Sequence, residues 1–574
     1  MFNSEKQLGQ ILVIQGKLDA DDLELALREH HKTGERLGTI LVKMGLVSEE
    51  DVLRALAEQL QLPFVRLSEV QIPKEVIEKI PAKIVSHYNL VPLEQSNGTL
   101  RVAVSDPLDV HTLDDLRLIL KTEVEPVVAL PKDINEAIKR YYGIGADTVE
   151  ELIEEQGTET TIEVDRTIED IDEMAEDASI VRFVNQIIAE AIADRATDIH
   201  VEPFEQELRI RYRIDGMLYE AAIPPSIKRF QSAIISRIKI MADMNIAERR
   251  LPQDGKIKVR VQDKDYDLRV STLPTPYGES ISIRILSRDS DLISLDRLGL
   301  DEYHLKILRR MIQKPHGIIF VTGPTGSGKS TTLYAALTEI NTVDKKILTV
   351  EDPIEYRIPG VTQVQVNPQI DLTFARVLRT MLRQDPDVIM VGETRDPETA
   401  QAAIRAALTG HLVFSTLHTN DAAGAVSRLL DMGIEPFLVA SSVEGLIAQR
   451  LVRLLCPECK VPYTPSPEVI ARLRVNKLDT TDAQFMRPAG CEKCRYTGFR
   501  GRTAIYEIIK ITEDLKQMIV ARRPSNEIKQ QAIANGMRTI REDGWIKVRQ
   551  GLTTIDEVLR VTMEDEFGGV AYDE

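Results

Sequence analysis

Gly317-Ile-Ile-Phe-Val-Thr322-Gly323-Pro324-Thr325-Gly326-Ser327-Gly328-Lys329-Ser330-Thr331 is the stretch from which the rest of the chain is read. An apolar run with the pattern of a buried strand passes directly into G-x-x-x-x-G-K-S, and residues 331–340 continue as a helix. That succession is the context a phosphate-binding loop requires: the glycines let backbone N–H groups curl round a phosphate, and the helix N-terminus adds partial positive charge. Lys329 is placed to reach the β- and γ-phosphates, and the Ser330 hydroxyl to reach Mg²⁺. Residues 323–331 are the candidate ATP-binding residues.

Downstream, Ile347-Leu-Thr-Val-Glu351-Asp-Pro-Ile-Glu355, Asp387-Val-Ile-Met-Val-Gly392-Glu393 and Leu412-Val-Phe-Ser-Thr-Leu417-His418 are three more buried-strand patterns. Open α/β sheets gather ligands at the carboxyl ends of their strands, so Glu355, Glu393 and His418 are expected at the end where Lys329 lies. Gly392 stands where an Mg²⁺-binding strand usually carries Asp, with the carboxylate moved on to Glu393. Upstream, Leu208-Arg-Ile-Arg-Tyr-Arg-Ile214 alternates, so that Arg209, Arg211 and Arg213 share one strand face; a solvated sheet face is the competing explanation. Arg249-Arg250, Arg269 and Arg284 follow in similar settings.

The 574 residues carry a net charge of −18, which argues against a nucleic-acid polymer as partner. Residues 146–178 hold fourteen carboxylates and one base, Arg166, and so account for most of that excess. The segment reads as a linker. No apolar run approaches the ~20 residues of a membrane span, and the N-terminus lacks a signal-peptide pattern. The expectation is a cytoplasmic chain whose membrane role, if it has one, is peripheral and through a partner. Cys456-Pro-Glu-Cys459 and Cys491-Glu-Lys-Cys494, with 31 residues between them, fit a closed Cys₄ zinc site, with a redox pair as the rival.

Residues 7–59 contain a repeat. Gln7-Leu8-Gly9-Gln-Ile-Leu-Val-Ile-Gln-Gly16 aligns with Arg36-Leu37-Gly38-Thr-Ile-Leu-Val-Lys-Met-Gly45, each followed by an acidic cap and a helix. Two helical hairpins are the reading that composition supports.

Glu351-Asp-Pro-Ile-Glu-Tyr, Asp387-Val-Ile-Met-Val-Gly-Glu-Thr-Arg395 and Thr409-Gly-His-Leu-Val-Phe-Ser-Thr-Leu-His-Thr-Asn420 resemble the acidic, Walker B and histidine boxes of the secretion ATPase superfamily. The text around them looks closest to the type II (general secretion pathway) ATPase and next to the type IV pilus extension ATPase. The resemblance implies a homo-hexameric ATP hydrolase working with an inner-membrane platform protein and a membrane-anchored adaptor. It implies that Glu393 acts through Mg²⁺ and water, that Glu355 (or Glu351) is the general base, and that His418 lies near the γ-phosphate. Arg269 and Arg284 match arginines that close over the nucleotide. The N-terminal repeat resembles a tandem cyclic-di-GMP-binding motif, with Leu8, Gly9, Arg36, Leu37, Gly38 and Gln59 as the matching residues and Gln7 and His30 as departures.

The expected architecture is multidomain α/β: a RecA-like P-loop ATPase core preceded by a smaller α/β domain and a helical/α+β N-terminal region. The expected boundaries are 1–64 (helical), 65–145 (α/β), 146–178 (acidic linker), 179–291 (arginine-supplying), 292–455 (ATPase core, entered through a linker over residues 292–300), 456–495 (Cys₄ zinc) and 496–574 (C-terminal helical).

Overall fold

A computed structural model describes residues 2–96, 98–155, 177–287, 294–473 and 483–562. The chain divides into two units, Met1–Leu286 and Ser287–Glu574.

In the first unit, helices Phe2–Ile14, Ala20–Thr33, Leu37–Lys43 and Glu49–Leu60 form the two hairpins that the repeat predicts. The repeat is kept in the packing. A Cβ on Gly9 would lie 2.3 Å from a Leu23 methyl, and one on Gly38 would lie 2.6 Å from a Val52 methyl. Each glycine therefore lets the second helix of its own unit close in at the same offset, with Leu8 and Leu37 buried beside them.

Next, β1 (Leu90–Ser96) pairs antiparallel with β2 (Thr99–Val104), which pairs parallel with β3 (Glu123–Val128) after the helix Val110–Leu120. Pro126 breaks the sequence pattern of β3, which is why the strand does not stand out in the text. The first ten residues of the expected acidic linker are helical. Ala146–Glu155 is a helix whose Val149 and Leu152 are buried in one core with Phe183 and Ile187, because these apolar residues recur three apart on one side of the carboxylates. Residues 156–176 lie outside the described residues.

Six strands complete this unit: β4 (Ala196–Pro203), β5 (Leu208–Ile214), β6 (Met217–Glu220), β7 (Gln253–Val261), β8 (Lys264–Thr275) and β9 (Gly278–Ser287), in the sheet order β6-β5-β4-β9-β8-β7. Helices Ala178–Ala193 and Gln231–Met241 share its core with Leu208, Ile210 and Tyr212. Arg209, Arg211 and Arg213 alternate with those buried residues and pair with Glu207, Glu202 and Asp198. The row is an ion-paired sheet face.

The second unit is built on β10 (Gly317–Thr322), β11 (Ile347–Glu351), β12 (Thr362–Gln365), β13 (Val388–Val391), β14 (Leu412–Leu417) and β15 (Val443–Leu455), all parallel, in the order β12-β11-β13-β14-β10-β15. β10, β11, β13 and β14 are buried throughout, as a sheet covered on both faces requires. Between β15 and the last strand, the short β16 (Val461–Pro462) and β17 (Met486–Arg487) pair within the cysteine-bearing insertion. β18 (Phe499–Lys510) then returns antiparallel to β15.

Two expected boundaries move. Residues 499–510 belong to the core sheet rather than to a helical subdomain, since Ala504–Ile509 is buried on both faces. The linker expected over residues 292–300 is packed from residue 294 onward: Leu295 and Leu298 sit in the core, and Lys547 Nζ donates to Gly299 O at 2.6 Å. Helices Glu513–Val520, Ser525–Ala534, Ile540–Arg549 and Ile555–Thr562 follow. Asp301, His304 and Asp543 also converge, but Arg538 pairs with Asp301 and Lys547 lies 3.8 Å from Asp543. These cations supply the charge a metal would, so the cluster is an ion network tying helix Glu302–Ile312 to the C-terminal helices.

Candidate active site

The loop after β10 runs into helix Lys329–Ile340. Gly323 has φ +145° and Gly328 φ +88°, and a Cβ at either would meet Gln449 of β15, its carbonyl oxygen at 2.5 Å or its Nε2 at 2.8 Å. Glycine is needed at both positions because Gln449 presses against the loop from the neighbouring strand. Gln449 is buried and accepts from Thr332 Oγ1 at 2.7 Å, which holds it there. Pro324, Thr325 and Gly326 are exposed at the loop tip, and Ser330 is exposed in the first helical turn.

Three strand ends meet at Lys329. Its ammonium donates to Gly323 O and Pro324 O at 2.9 and 3.0 Å. Burial lowers its pKa to about 8 against the pull of the Glu393 carboxylate, with Arg450 pushing the same way as burial. Glu393 leaves the end of β13, pairs with Arg395 at 2.7 Å and lies 3.7 Å from His418 Nε2 beyond β14. His418 is also held below the ordinary histidine range, by burial first and then by Lys329. Burial is the first cause of both shifts, and a lysine and a histidine that lose water in this way gain from the charge of a bound polyanion.

The sheet fixes these groups through small polar residues. Thr322 Oγ1 donates to Thr419 O and accepts from Thr419 N, both at 2.9 Å, which pins the loop after β14 to the base of the phosphate loop. Thr394 N donates to Thr416 O, locking the segment after Glu393 to β14. Gly392 is crowded: a Cβ would lie 3.2 Å from Val350 O and from Glu351 Cα, backbone atoms that would have to give by a few tenths of an ångström. Crowding by β11 thus disfavours a side chain at this position, and the carboxylate stands one residue later.

Glu351 and Glu355 are sorted by their partners. The Glu351 carboxylate, 4% exposed, accepts from Tyr334 Oη, from Thr349 Oγ1 at 2.6 Å and from Gln363 Nε2 at 3.1 Å. A carboxylate used by three fixed donors has a structural task. Glu355, half-buried, follows on the segment that this cluster holds, and its backbone N–H donates to Tyr334 Oη at 3.3 Å.

Gln449, Arg450, Thr322, Thr419 and Tyr334 are not singled out by the motifs. A polar pair inside the apolar run Leu446-Ile-Ala-Gln449-Arg450-Leu was the available signal for the first two. Arg269 and Arg284 belong to the first unit. They lie on β8 and β9, alternating with the buried Leu268, Val270, Ile281 and Ile283, and Arg284 Nε donates to Asp198 Oδ1 at 3.0 Å.

In the insertion, the Sγ atoms of Cys456, Cys459, Cys491 and Cys494 all lie within 4.8 Å of one another, with separations of 3.8 Å (456–491), 3.7 Å (459–494) and 3.7 Å (491–494). Zn–S bonds of about 2.3 Å at tetrahedral angles put sulfurs about 3.8 Å apart, so the donor set fits that ion. Among the proposed cyclic-di-GMP residues, Leu8, Gly9, Leu37 and Gly38 serve helix packing, while Arg36 is exposed and pairs with Asp106 at 2.6 Å.

The chain matches the Type II/IV secretion system protein family over residues 173–560 and the MshEN domain over residues 60–148. It is 43% identical to the type IV pilus assembly ATPase PilB of Myxococcus xanthus over 98% of this chain and 100% of that protein. It is 44% identical to the type II secretion system protein E of Xanthomonas campestris over 98% and 99%. Among solved structures, the ATPase DotB of Legionella pneumophila shares the fold, with a TM-score of 0.50 and 23% identity over 67% of this chain and 95% of that one. Among the described residues no helix is long and apolar enough to cross a membrane.

Proposed function

The chain belongs to the family of type II/IV secretion system proteins and is one of its ATPases, and on that premise we propose that it hydrolyses ATP to drive pseudopilus assembly and protein export in type II secretion. The observation that carries this reading is the convergence of Lys329, Glu393 and His418, from three strand ends of one parallel sheet, on a loop shaped for phosphates. In this reading the backbone of residues 323–328 cradles the β-phosphate and Lys329 neutralises the β- and γ-oxygens. Glu355 accepts a proton from the attacking water, whose oxygen bonds to the γ-phosphorus as the bond to the β–γ bridging oxygen breaks, leaving ADP and phosphate. Ser330 and Glu393 would hold Mg²⁺, which when bound neutralises charge between the β- and γ-phosphates. The working form is a homo-hexamer on the cytoplasmic face of the inner membrane, reached through an adaptor and a platform protein.

A second reading, a type IV pilus extension ATPase, is favoured by the equally complete match to the Myxococcus protein. Deleting the gene in its own host and measuring secreted proteins and surface pili separates the two. Loss of secretion with pili retained is expected; the reverse outcome establishes the second reading.

The four thiolates hold a structural zinc in this proposal. Elemental analysis is expected to find about one zinc per chain, and Cys459→Ser to release it and lower the thermal stability of the C-terminal region, because metal binding and folding free energy are linked at such sites. Wild-type protein without zinc ends the idea.

The tandem hairpins, placed directly before the MshEN match, are proposed to bind cyclic-di-GMP through Arg36 and Gln59. Binding should be weak, since Gln7 replaces the first unit's arginine, and Arg36→Ala should abolish it. Asp106→Asn, which releases Arg36 from its carboxylate partner, should tighten it. Calorimetry with wild-type protein showing no heat at high ligand concentration leaves the repeat a packing role only.

A further inference from the structure

A side chain of the helix that follows the phosphate loop reaches the backbone of Glu355. Tyr334 lies on the helix that starts at Lys329, five residues from it, and is 1% exposed. Its hydroxyl donates to the Glu351 carboxylate and accepts the backbone N–H of Glu355. Its ring meets Tyr356 edge-on, with centroids 4.4 Å apart and planes at 75°. Gln363 supports the same segment from the other side: Nε2 donates to Glu351 and to Tyr356 O at 3.1 Å, and Oε1 accepts from Ile358 N at 2.9 Å. Tyr334 and Gln363 thus both hold the segment between Glu351 and Ile358, and of the two Tyr334 comes from the helix that opens at the phosphates.

We propose that Tyr334 is a positioning residue for the reaction: its hydroxyl transmits the seating of the phosphate-loop helix to the backbone of Glu355, placing the base against the attacking water. Burial and the Glu351 carboxylate raise its pKa well above the ordinary tyrosine value, so the hydroxyl keeps the proton it donates. The inference rests on the reading of Glu355 as the general base. A base displaced by about 1 Å costs on the order of 10² in rate, whereas a loop that keeps its glycines and Lys329 keeps its affinity.

The test is a double-mutant cycle on full-length protein, with phosphate release for turnover and a fluorescent ATP analogue for affinity. Tyr334→Phe is expected to lower kcat by about 10- to 100-fold with analogue affinity within about twofold of wild type. In a Glu355→Gln background the same change is expected to cost nothing further, because a residue that acts only through the base has no effect once the base is gone. Additive losses in the two backgrounds, or loss of analogue affinity with turnover, assign Tyr334 to general packing and overturn the proposal. Turnover near wild type in Tyr334→Phe overturns it as well. If Glu355→Gln itself turns over normally, the reading of Glu355 as base has failed instead, and Tyr334 has nothing to position.

Discussion

Arg284→Ala is expected to lower steady-state ATP turnover by about 10³-fold or more while leaving nucleotide affinity near wild type. Phosphoryl transfer is slow until positive charge neutralises the γ-phosphate in the transition state, and an arginine that supplies it contributes about 10³–10⁵ in rate. Lys329, Glu393 and His418 come from the second unit, and Arg269 and Arg284 from the first. The resemblance that assigns these arginines to the nucleotide thus predicts that turnover depends on residues outside the second unit. Asp198 orients one of the two arginines. It holds Arg284 by Nε at 3.0 Å, and it is itself fixed by Thr197 Oγ1 at 2.8 Å, so the guanidinium is held at its inner nitrogen. Arg269→Ala should show the same pattern. Lys329→Ala should instead weaken binding itself. Affinity for a fluorescent nucleotide and phosphate release, measured side by side, decide between these outcomes, and near-normal turnover in either arginine variant removes that residue from the closing role.

Glu355→Gln is expected to cost about 10²–10⁴ in kcat with nucleotide binding retained, the range a general base contributes. Glu351→Gln should behave differently. Its carboxylate accepts three hydrogen bonds in a buried setting, so an amide N–H₂ would face donors where an oxygen is needed, at a cost of roughly 1–3 kcal/mol in stability. A lowered melting temperature for Glu351→Gln, beside an unchanged one for Glu355→Gln, is the signature. If instead Glu351→Gln alone abolishes turnover in a stably folded protein, the two carboxylates exchange roles.

The convergence of the candidate site residues was legible because each of its parts is local in the chain: a strand, then the residues at its carboxyl end. Gly323–Ser330, Glu393 and His418 could be placed without knowing the sheet order, since parallel strands end on one side. The parts that depend on neighbours across the sheet could not. Nothing beside Gly392 in the text says that β11 crowds it, nor does anything near Gly328 name Gln449 as its neighbour. Tyr334 reads as one more apolar helix position until Glu351 is found beneath its hydroxyl. The boundaries moved for a related reason: Leu295, Leu298, Val149 and Leu152 are too few to announce a core alone, and each pair is buried by residues distant in sequence.

The pairing of β15 with β18 gives the cysteine cluster a meaning beyond local folding. β15 lies against the phosphate loop at Gln449 and, seven residues later, roughly 23 Å at about 3.3 Å per residue, reaches Cys456. There Cys456 N donates to Gly498 O at 2.9 Å, just before β18 sets out along β15 with Gln449 opposite Tyr506. Side chains alternate faces along a strand, so sliding β15 by one residue against its partners would turn Gln449 away from the loop and bring Arg450 or Ala448 in its place. The proposed zinc at the far end of the ribbon would tie the end of β15 to the start of β18, and the cysteines would then serve as an alignment key for the ladder that carries Gln449.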